Sequence, residues 1–317
     1  MIVALAGGVG GAKLAQGLYG VVPPTELIVV VNTADDFTHF GLHISPDLDT
    51  VMYTLAGVAN PVTGWGIAGD TFETMAMLGR YGKDEWFRLG DRDLATHITR
   101  TEALRGGRSL TEITAELAAA LGVNARVLPM CDEPVATYVD TPDGRLEFQD
   151  YFVRRHQRDT VLGISFDGVE RAILPLSTGH ALEHAELIVF CPSNPFVSIG
   201  PILAVPGLRD ALGQGAVPRI AVSPIVGGQA LKGPAAQMLE SLGHEVSPVG
   251  VARLYDGLID AMVIDQQDAA CAPELEDLGL AVLVAQTIMG DRRDRERLAG
   301  EIVNFSRQRI ASARVLA

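Results

Sequence analysis

The sequence predicts a doubly wound, mostly parallel, Rossmann-like α/β sheet with a helical insertion. Three observations predict it. Short runs of consecutive apolar, β-branched residues recur, as in Leu27 to Val31 (LIVVV), and such runs suit strands covered on both faces. The first apolar run, Ile2 to Leu5, feeds a glycine-rich turn and then helical sequence from Ala12. Between residues 66 and 122 the apolar runs give way to helical character, which places a cap or insertion on one continuous domain.

Composition bounds what this fold can do. The 317 residues supply ample material for a core, and at 48% hydrophobic and 20% charged the chain is globular rather than disordered. A formal charge of -14 argues against non-specific binding to nucleic acid or to an anionic membrane. An anionic ligand therefore needs local basic groups, backbone dipoles or a metal ion. The cysteines Cys131, Cys191 and Cys271 lie far apart with no CxxC pair, as reduced thiols of a cytoplasmic protein do. No stretch approaches the length of a membrane span, and the N-terminal apolar run is too short for a signal peptide.

At the first turn, Gly7, Gly8, Gly10 and Gly11 lie between strand and helix. This arrangement aims unpaired N–H groups and the positive end of a helix dipole at one point. Gly8, Gly10, Gly11 and Lys13 are thus candidates for holding phosphate; a plain tight turn is the alternative. Neither common phosphate signature fits. The dinucleotide pattern from Gly8 needs a small residue where Lys13 stands, and Gly11-Ala12-Lys13-Leu14 lacks the Gly-Lys-Ser/Thr of a P-loop. The run LIVVV ends in Asn32-Thr33-Ala34-Asp35-Asp36, at the strand end where open sheets bind ligands. Asp35 or Asp36 can take a ribose hydroxyl or a metal, or cap the next segment.

Ser45-Pro46-Asp47-Leu48-Asp49-Thr50 reads as a helix start with acidic first-turn residues. The same carboxylates suit Mg²⁺, which takes hard oxygen ligands and bridges to phosphates. Trp65 and Phe72 can wall an aromatic ligand or fill core. Arg88-Leu89-Gly90-Asp91-Arg92-Asp93 offers solvated ion pairs or a phosphate-binding arginine. His97 reads as a structural residue on a helix face. Ser109-Leu110-Thr111-Glu112 has capping-box spacing, with Ile113, Leu117 and Leu121 at helical period and Gly122 closing.

Strand character returns at Arg126 to Leu128, and Asp143-Gly144 marks a hairpin between Ala136–Val139 and Leu146–Phe152. Arg154, Arg155 and His156 form a short basic patch at an edge. The strand Ala185 to Phe190 leads into Cys191-Pro192-Ser193-Asn194-Pro195, where Ser193 and Asn194 suit phosphate or base recognition, or an ordinary Asx/Ser turn. A helix follows Pro206. The strand Ile220 to Val222 precedes Gly227, Gly228, Lys232 and a helix from Ala235 to Leu242, repeating the logic of the N-terminus. Two such loops on one sheet suit a ligand with two anionic points. Val263 to Asp265 and Ala281 to Val284 are further strands, and Asp294 to Val303 begins an amphipathic C-terminal helix.

In order, GGVGGAKL, NTADD, SPDLDT, LGDRDLATH, PSNP with SIGPIL, and SPIVGG with KGPA resemble the 2-phospho-L-lactate transferase family (CofD/FbiA type) of coenzyme F-420 biosynthesis. The likeness runs from Met1 to about Gln286. It implies transfer of a phospho-acid moiety (2-phospho-L-lactate, phosphoenolpyruvate or 3-phosphoglycerate) from its guanosine diphosphate ester to the ribityl hydroxyl of the deazaflavin Fo. GMP is released, Mg²⁺ is the implied metal, and a helical subdomain and a homodimer are implied as well. On this likeness Asp47 and Asp49 become the catalytic and metal-binding candidates, and Asp49 and Arg88 the contacts to Fo. Gly8, Gly10, Gly11 and Lys13 are expected on the cleft floor. Asn32, Asp35, Ser193, Asn194, Gly228 and Lys232 are assigned to the guanosine diphosphate half from their positions at strand ends. Two rivals are a nucleotide-sugar-binding regulator of the related gluconeogenesis-factor type and a nicotinamide-dependent oxidoreductase. The SPDLDT and GDRD stretches count against the first, and Lys13 against the second.

Overall fold

Apolar runs with no polar break need cover on both faces, and the central sheet gives it to them. A computed structural model describes residues 1–213 and 217–316, with side chains through residue 308. Its strands are β1 (Ile2–Ala6), β2 (Leu27–Val31), β3 (Arg126–Pro129), β4 (Leu187–Phe190), β5 (Arg219–Val222), β6 (Ala261–Asp265) and β7 (Ala281–Ala285). They form a 7-stranded sheet in the order β7-β6-β5-β4-β1-β2-β3, with every neighbouring pair parallel. This is the doubly wound order of dinucleotide-binding sheets with one strand added. The expected fold class is the observed one.

Alternation along each strand feeds two separate cores. Val3, Leu5, Ile28 and Val30 face one layer. Ile2, Ala4, Ala6, Val29 and Val31 face the other, which holds α1 (Gly8–Val21), α2 (Pro46–Leu55), α5 (Leu110–Ala120) and the C-terminal helix Arg292–Leu316. Within residues 66–122, α3 (Glu73–Arg80) and α4 (Asp91–Arg105) precede α5. Leu110 and Ala118 of α5 pack into the sheet's own core, whereas Met75, Leu89 and Leu94 join Ile44 in a satellite core. Ser109 makes the expected capping box with Glu112.

One expected element needs correction. The strand placed at Leu146–Phe152 spans only Gly144–Glu147, and the chain then coils through a wide helical turn at Asp150–Arg154. Tyr151 is drawn inward against Phe148 and Val161, which an extended backbone alternating sides could not achieve for both aromatics. The hairpin at Asp143-Gly144 is present, and Gly163–Asp167 adds a third antiparallel strand beside Ala136–Thr141. That strand is half-exposed and weakly patterned (GISFD), so periodicity did not reveal it.

The C-terminal helix lies across α1, and α1 carries small residues where the two meet. A Cβ built on Gly17 would strike the carbonyl of Arg295, and one on Gly20 the Glu296 side chain. Overpacking of this kind costs roughly 1–3 kcal/mol. Gly17→Ala is therefore expected to lower the unfolding free energy by that amount, seen as a lower urea midpoint with an unchanged m-value. A midpoint equal to the parent's would mean that the two helices do not meet this closely.

Candidate functional site

Strand order reverses between β1 and β4, because the chain leaves β1 for β2 and β3 on one side and builds β4 to β7 on the other. Loops leaving the carboxyl ends of β1 and β4 part there, opening a crevice that open α/β sheets use for ligands. A cavity of about 610 Å³ fills it. Gly8, Gly10 and Lys13 line it from the first loop, and Pro192, Ser193 and Asn194 from the second. Asp35, Asp47, Asp49, Arg88 and Lys232 complete the expected residues in its wall.

The floor is tightly made. A Cβ on Gly10 would collide with the Pro192 carbonyl, so glycine is needed there for close approach rather than for turning. The Ser193 hydroxyl donates to Gly7 O (2.8 Å) and accepts from Gly7 N (3.1 Å), binding the two loops together. Asn194 Oδ1 accepts from the Phe196 and Val197 amides, so it caps the following turn while also facing the cavity. Lys13 Nζ donates to Met289 O (2.8 Å) and Lys232 Nζ to Thr63 O (2.9 Å). Burial, then Arg295 and Lys232, push the Lys13 ammonium below its usual range. Cations gathered this closely suit a polyanion.

Some expected residues stand elsewhere. Gly11 packs behind the floor against Ser193 and Ala6. Gly228, at φ 72, turns the small hairpin between Ile225–Val226 and Gln229–Ala230 and does not reach the cavity wall. Asn32 is wholly buried: its Nδ2 donates to Asp47 Oδ2 (3.0 Å) and Val197 O (3.2 Å). It is not among the residues that line the cavity. Arg88 lines the cavity with its guanidinium 4.2 Å above the Phe72 ring, while Trp65 faces the cavity and Phe72 does not. Arg154 and Arg155 of the basic patch pair with aspartates. Their neighbours His156 and Gln157 line the cavity mouth at φ 54 and 58.

Asp47 and Asp49 belong to different networks, since residues two apart on a helix point to different sides. Asp47 Oδ1 accepts the Gly8 amide (2.8 Å) at the start of α1, where the helix dipole favours a negative charge. Asp49 turns the other way, toward α4, and both its oxygens accept from the Arg100 guanidinium. His97 stands between Asp49 and Asp93, with Nδ1 3.6 Å from Asp49 Oδ2 and Nε2 3.3 Å from Asp93 Oδ2. Asp49, Asp93 and His97 bring ligand atoms within 4.8 Å of one another, but the guanidinium already occupies the first. None of Arg100, His97, Asp93 and Tyr53 was assigned to the site from sequence. A signal existed: Asp93, His97 and Arg100 recur at helical spacing and form one polar stripe on α4, which only burial distinguishes from a solvated face.

A family-wide sequence profile described as 2-phospho-L-lactate transferase CofD matches residues 2–288. The chain belongs to the CofD family. It is 43% identical over 304 residues to the 2-phospho-L-lactate transferase of Methanosarcina acetivorans, covering 96% of this chain and 98% of that one. To the phosphoenolpyruvate transferase of Streptomyces griseus it is 42% identical over 296 residues, covering 92% and 93%. In fold it is similar to a UPF0052 protein from Bacillus halodurans, with TM-score 0.67, 14% identity and 95% and 98% of the two chains covered. The expected transferase of coenzyme F-420 biosynthesis stands at that level.

In this CofD-family protein the carboxylates of the cavity divide by electrostatic setting. Asp35 Oδ1 is buried without a hydrogen-bond partner. Burial first, and the Asp47 carboxylate second, raise Asp35 well above the usual carboxylate range. Burial likewise raises Asp47 to about 6 against the hydrogen bonds from Asn32 and Gly8. Two buried carboxylates in low dielectric repel each other, and an orphaned oxygen marks where a hard cation fits. Among the described residues no helix is long and apolar enough to cross a membrane.

A carboxyl raised in the folded state binds its proton more tightly there than in the unfolded chain, so stability falls as pH rises from about 4 through about 6. For Asp47 the shift corresponds to about 3 kcal/mol. Asp35→Asn removes one of the repelling charges, and it is expected to raise Tm in chelator at pH 8 and to flatten that slope. Thermal unfolding of both proteins between pH 4 and 8 checks this; a lower Tm for the variant at pH 8 would contradict it.

Proposed function

We propose that this chain moves a phospho-acid moiety from its guanosine diphosphate ester to the ribityl hydroxyl of Fo, releasing GMP. The acid is 2-phospho-L-lactate, phosphoenolpyruvate or 3-phosphoglycerate. What carries the reading is one cavity lined by two unlike sets of side chains. One set is the carboxylate pair Asp35 and Asp47 with the start of α1, Lys13 and Lys232. The other is Asp49, held by Arg100, with Phe87 and Arg88. Phosphoryl transfer asks for positioning and charge neutralisation more than covalent chemistry from the protein, and these two sets supply both.

The residues fit Mg²⁺ at a different pair from the expected one. Asp35 and Asp47 would hold it, since Asp49 already spends both oxygens on Arg100. When bound, Mg²⁺ supplies charge neutralisation to the diphosphate and relieves the repulsion between the two carboxylates. Lys13, Lys232 and the first turn of α1 hold the phosphate oxygens. Asp49 accepts from the polyol tail of Fo, and Arg88 faces it across the cavity. The hydroxyl oxygen forms its bond to the phosphorus next to the acid as the bond from that phosphorus to the GMP oxygen breaks. The hydroxyl proton is lost to solvent, and GMP leaves as a stable phosphate anion. The homodimer and the cytoplasmic setting are part of the proposal and rest on the likeness and on composition.

Incubating the protein with Fo, Mg²⁺ and each guanylylated acid is expected to yield GMP and a new deazaflavin phosphodiester in equal amounts. Omitting Fo or Mg²⁺ abolishes both. Asp35→Asn is expected to lower turnover by at least 100-fold although it folds. Binding of nucleotide without any GMP release would favour a regulator, and full activity of the variant would remove the metal assignment.

A further inference from the structure

We propose that Arg100 positions Asp49 for the incoming alcohol, with His97 and Asp93 holding Arg100 in turn. The inference rests on the reading of Asp49 as a contact to Fo. It begins with two helix faces. Asp49 and Tyr53 are one turn apart on α2, and Asp93, His97 and Arg100 follow one another at helical spacing on α4. The facing stripes meet in a chain of polar contacts inside the protein. Tyr53 hydroxyl donates to Asp93 Oδ1 (2.7 Å). Asp93 Oδ2 faces His97 Nε2 at 3.3 Å. Arg100 Nη1 donates to His97 Nδ1 (3.4 Å) and to Asp49 Oδ2 (3.1 Å), and Nη2 donates to Asp49 Oδ1. The imidazole accepts from Arg100 on Nδ1, and its Nε2, buried without a hydrogen-bond partner, lies beside the Asp93 carboxylate.

Arg100 is 0% exposed, and its Nε has no partner. It does not line the cavity, whereas Asp49, Tyr53, Asp93 and His97 all do. A guanidinium buried this deeply is a poor device for stability, because well-packed apolar side chains of similar volume serve the fold at least as well. What it does achieve is geometric. A two-pronged fork sets the plane of a carboxylate, and a carboxylate at the first turn of a helix otherwise keeps free rotamers. Burial alone would lower the Arg100 guanidinium, but Asp49 more than offsets this and the net direction is upward. The fork therefore stays charged while Asp49 presents its remaining lone pairs to the cavity. The lysine ammonium is a point charge with no fork, so Arg100→Lys keeps the sign and loses the alignment.

The test separates acceptor from donor. Fo binding is followed by its fluorescence and GDP binding by calorimetry, in the parent, Arg100→Lys and His97→Gln, each with its melting curve. Arg100→Lys is expected to weaken Fo at least tenfold while GDP affinity stays within twofold. His97→Gln shows the same selectivity at smaller size, about threefold. In turnover the KM for Fo rises while that for the donor holds. Equal weakening of both ligands, or no weakening of either, overturns the positioning role. Should Arg100→Lys fail to fold, His97→Gln and Asp93→Asn decide by the same split. A parent that binds GDP but never Fo removes the functional reading itself. Unchanged Fo affinity in the variants of a parent that does bind it removes only this inference.

Discussion

The walls of the cavity converge on the carboxylate of Asp47. One oxygen takes the Gly8 amide at the start of α1, and the other takes the Asn32 amide at the end of β2. Asn32 also holds the Val197 carbonyl beyond β4. A single side chain from α2 thereby ties the ends of β1, β2 and β4 around the point where strand order reverses. Such a group is costly to bury unless its hydrogen bonds are met, and these are met by backbone and amide donors that the parallel sheet already aims there. The glycine-rich turn thus serves an internal anion as well as any ligand. The Gly7 amide is committed to Ser193 and the Gly8 amide to Asp47, while Val9, Gly10 and Lys13 line the cavity.

From this anchor the site separates into two electrostatic compartments. Asp35 is raised by burial and by the Asp47 carboxylate, Asp47 is raised chiefly by burial, and Asp35 Oδ1 has no hydrogen-bond partner. Asp49, only two residues beyond Asp47, is clamped by an internal guanidinium and backed by His97 and Asp93. Helical geometry makes the division unavoidable, since residues at this spacing cannot share one face. Asp47 and Asp49 of SPDLDT both line the cavity but hold different partners, Asp47 the Gly8 and Asn32 amides and Asp49 the Arg100 guanidinium. It is Asp35, from the end of β2, that comes to Asp47. The two compartments suit one reaction, in which a diphosphate has to be neutralised while a neutral alcohol is aligned.

Much of the architecture was legible because its causes are local. Runs such as LIVVV have no polar residue to place in solvent, so they had to lie inside a parallel sheet, and Ser109 with Glu112 announced the start of α5. The wide turn at Asp150–Arg154 was not legible. Leu146 to Phe152 alternates well enough for a strand, and only the neighbouring core at Phe148, Tyr151 and Val161 selects a coil. Strand-end position brought Lys13, Asp35, Ser193, Asn194 and Lys232 to the cavity, but it misplaced Gly228, whose φ 72 serves a hairpin. Asn32 sits at the same strand end but outside the cavity lining, bonded to Asp47.

By itself, then, the sequence determined the sheet, its glycine-rich crossover and the membership of the CofD family. These depend on residue type and on order along the chain, and both are present before folding. Only the tertiary structure decided which carboxylates meet, which arginine is internal and which histidine lies between two carboxylates. Arg100 and Arg88 are the same residue type twelve positions apart in related charged surroundings. One is 0% exposed on a carboxylate, while the other lies over Phe72 at the rim. The difference comes from α4 laying one stripe against α2, a contact between segments some forty residues apart in sequence that no periodicity within either helix specifies.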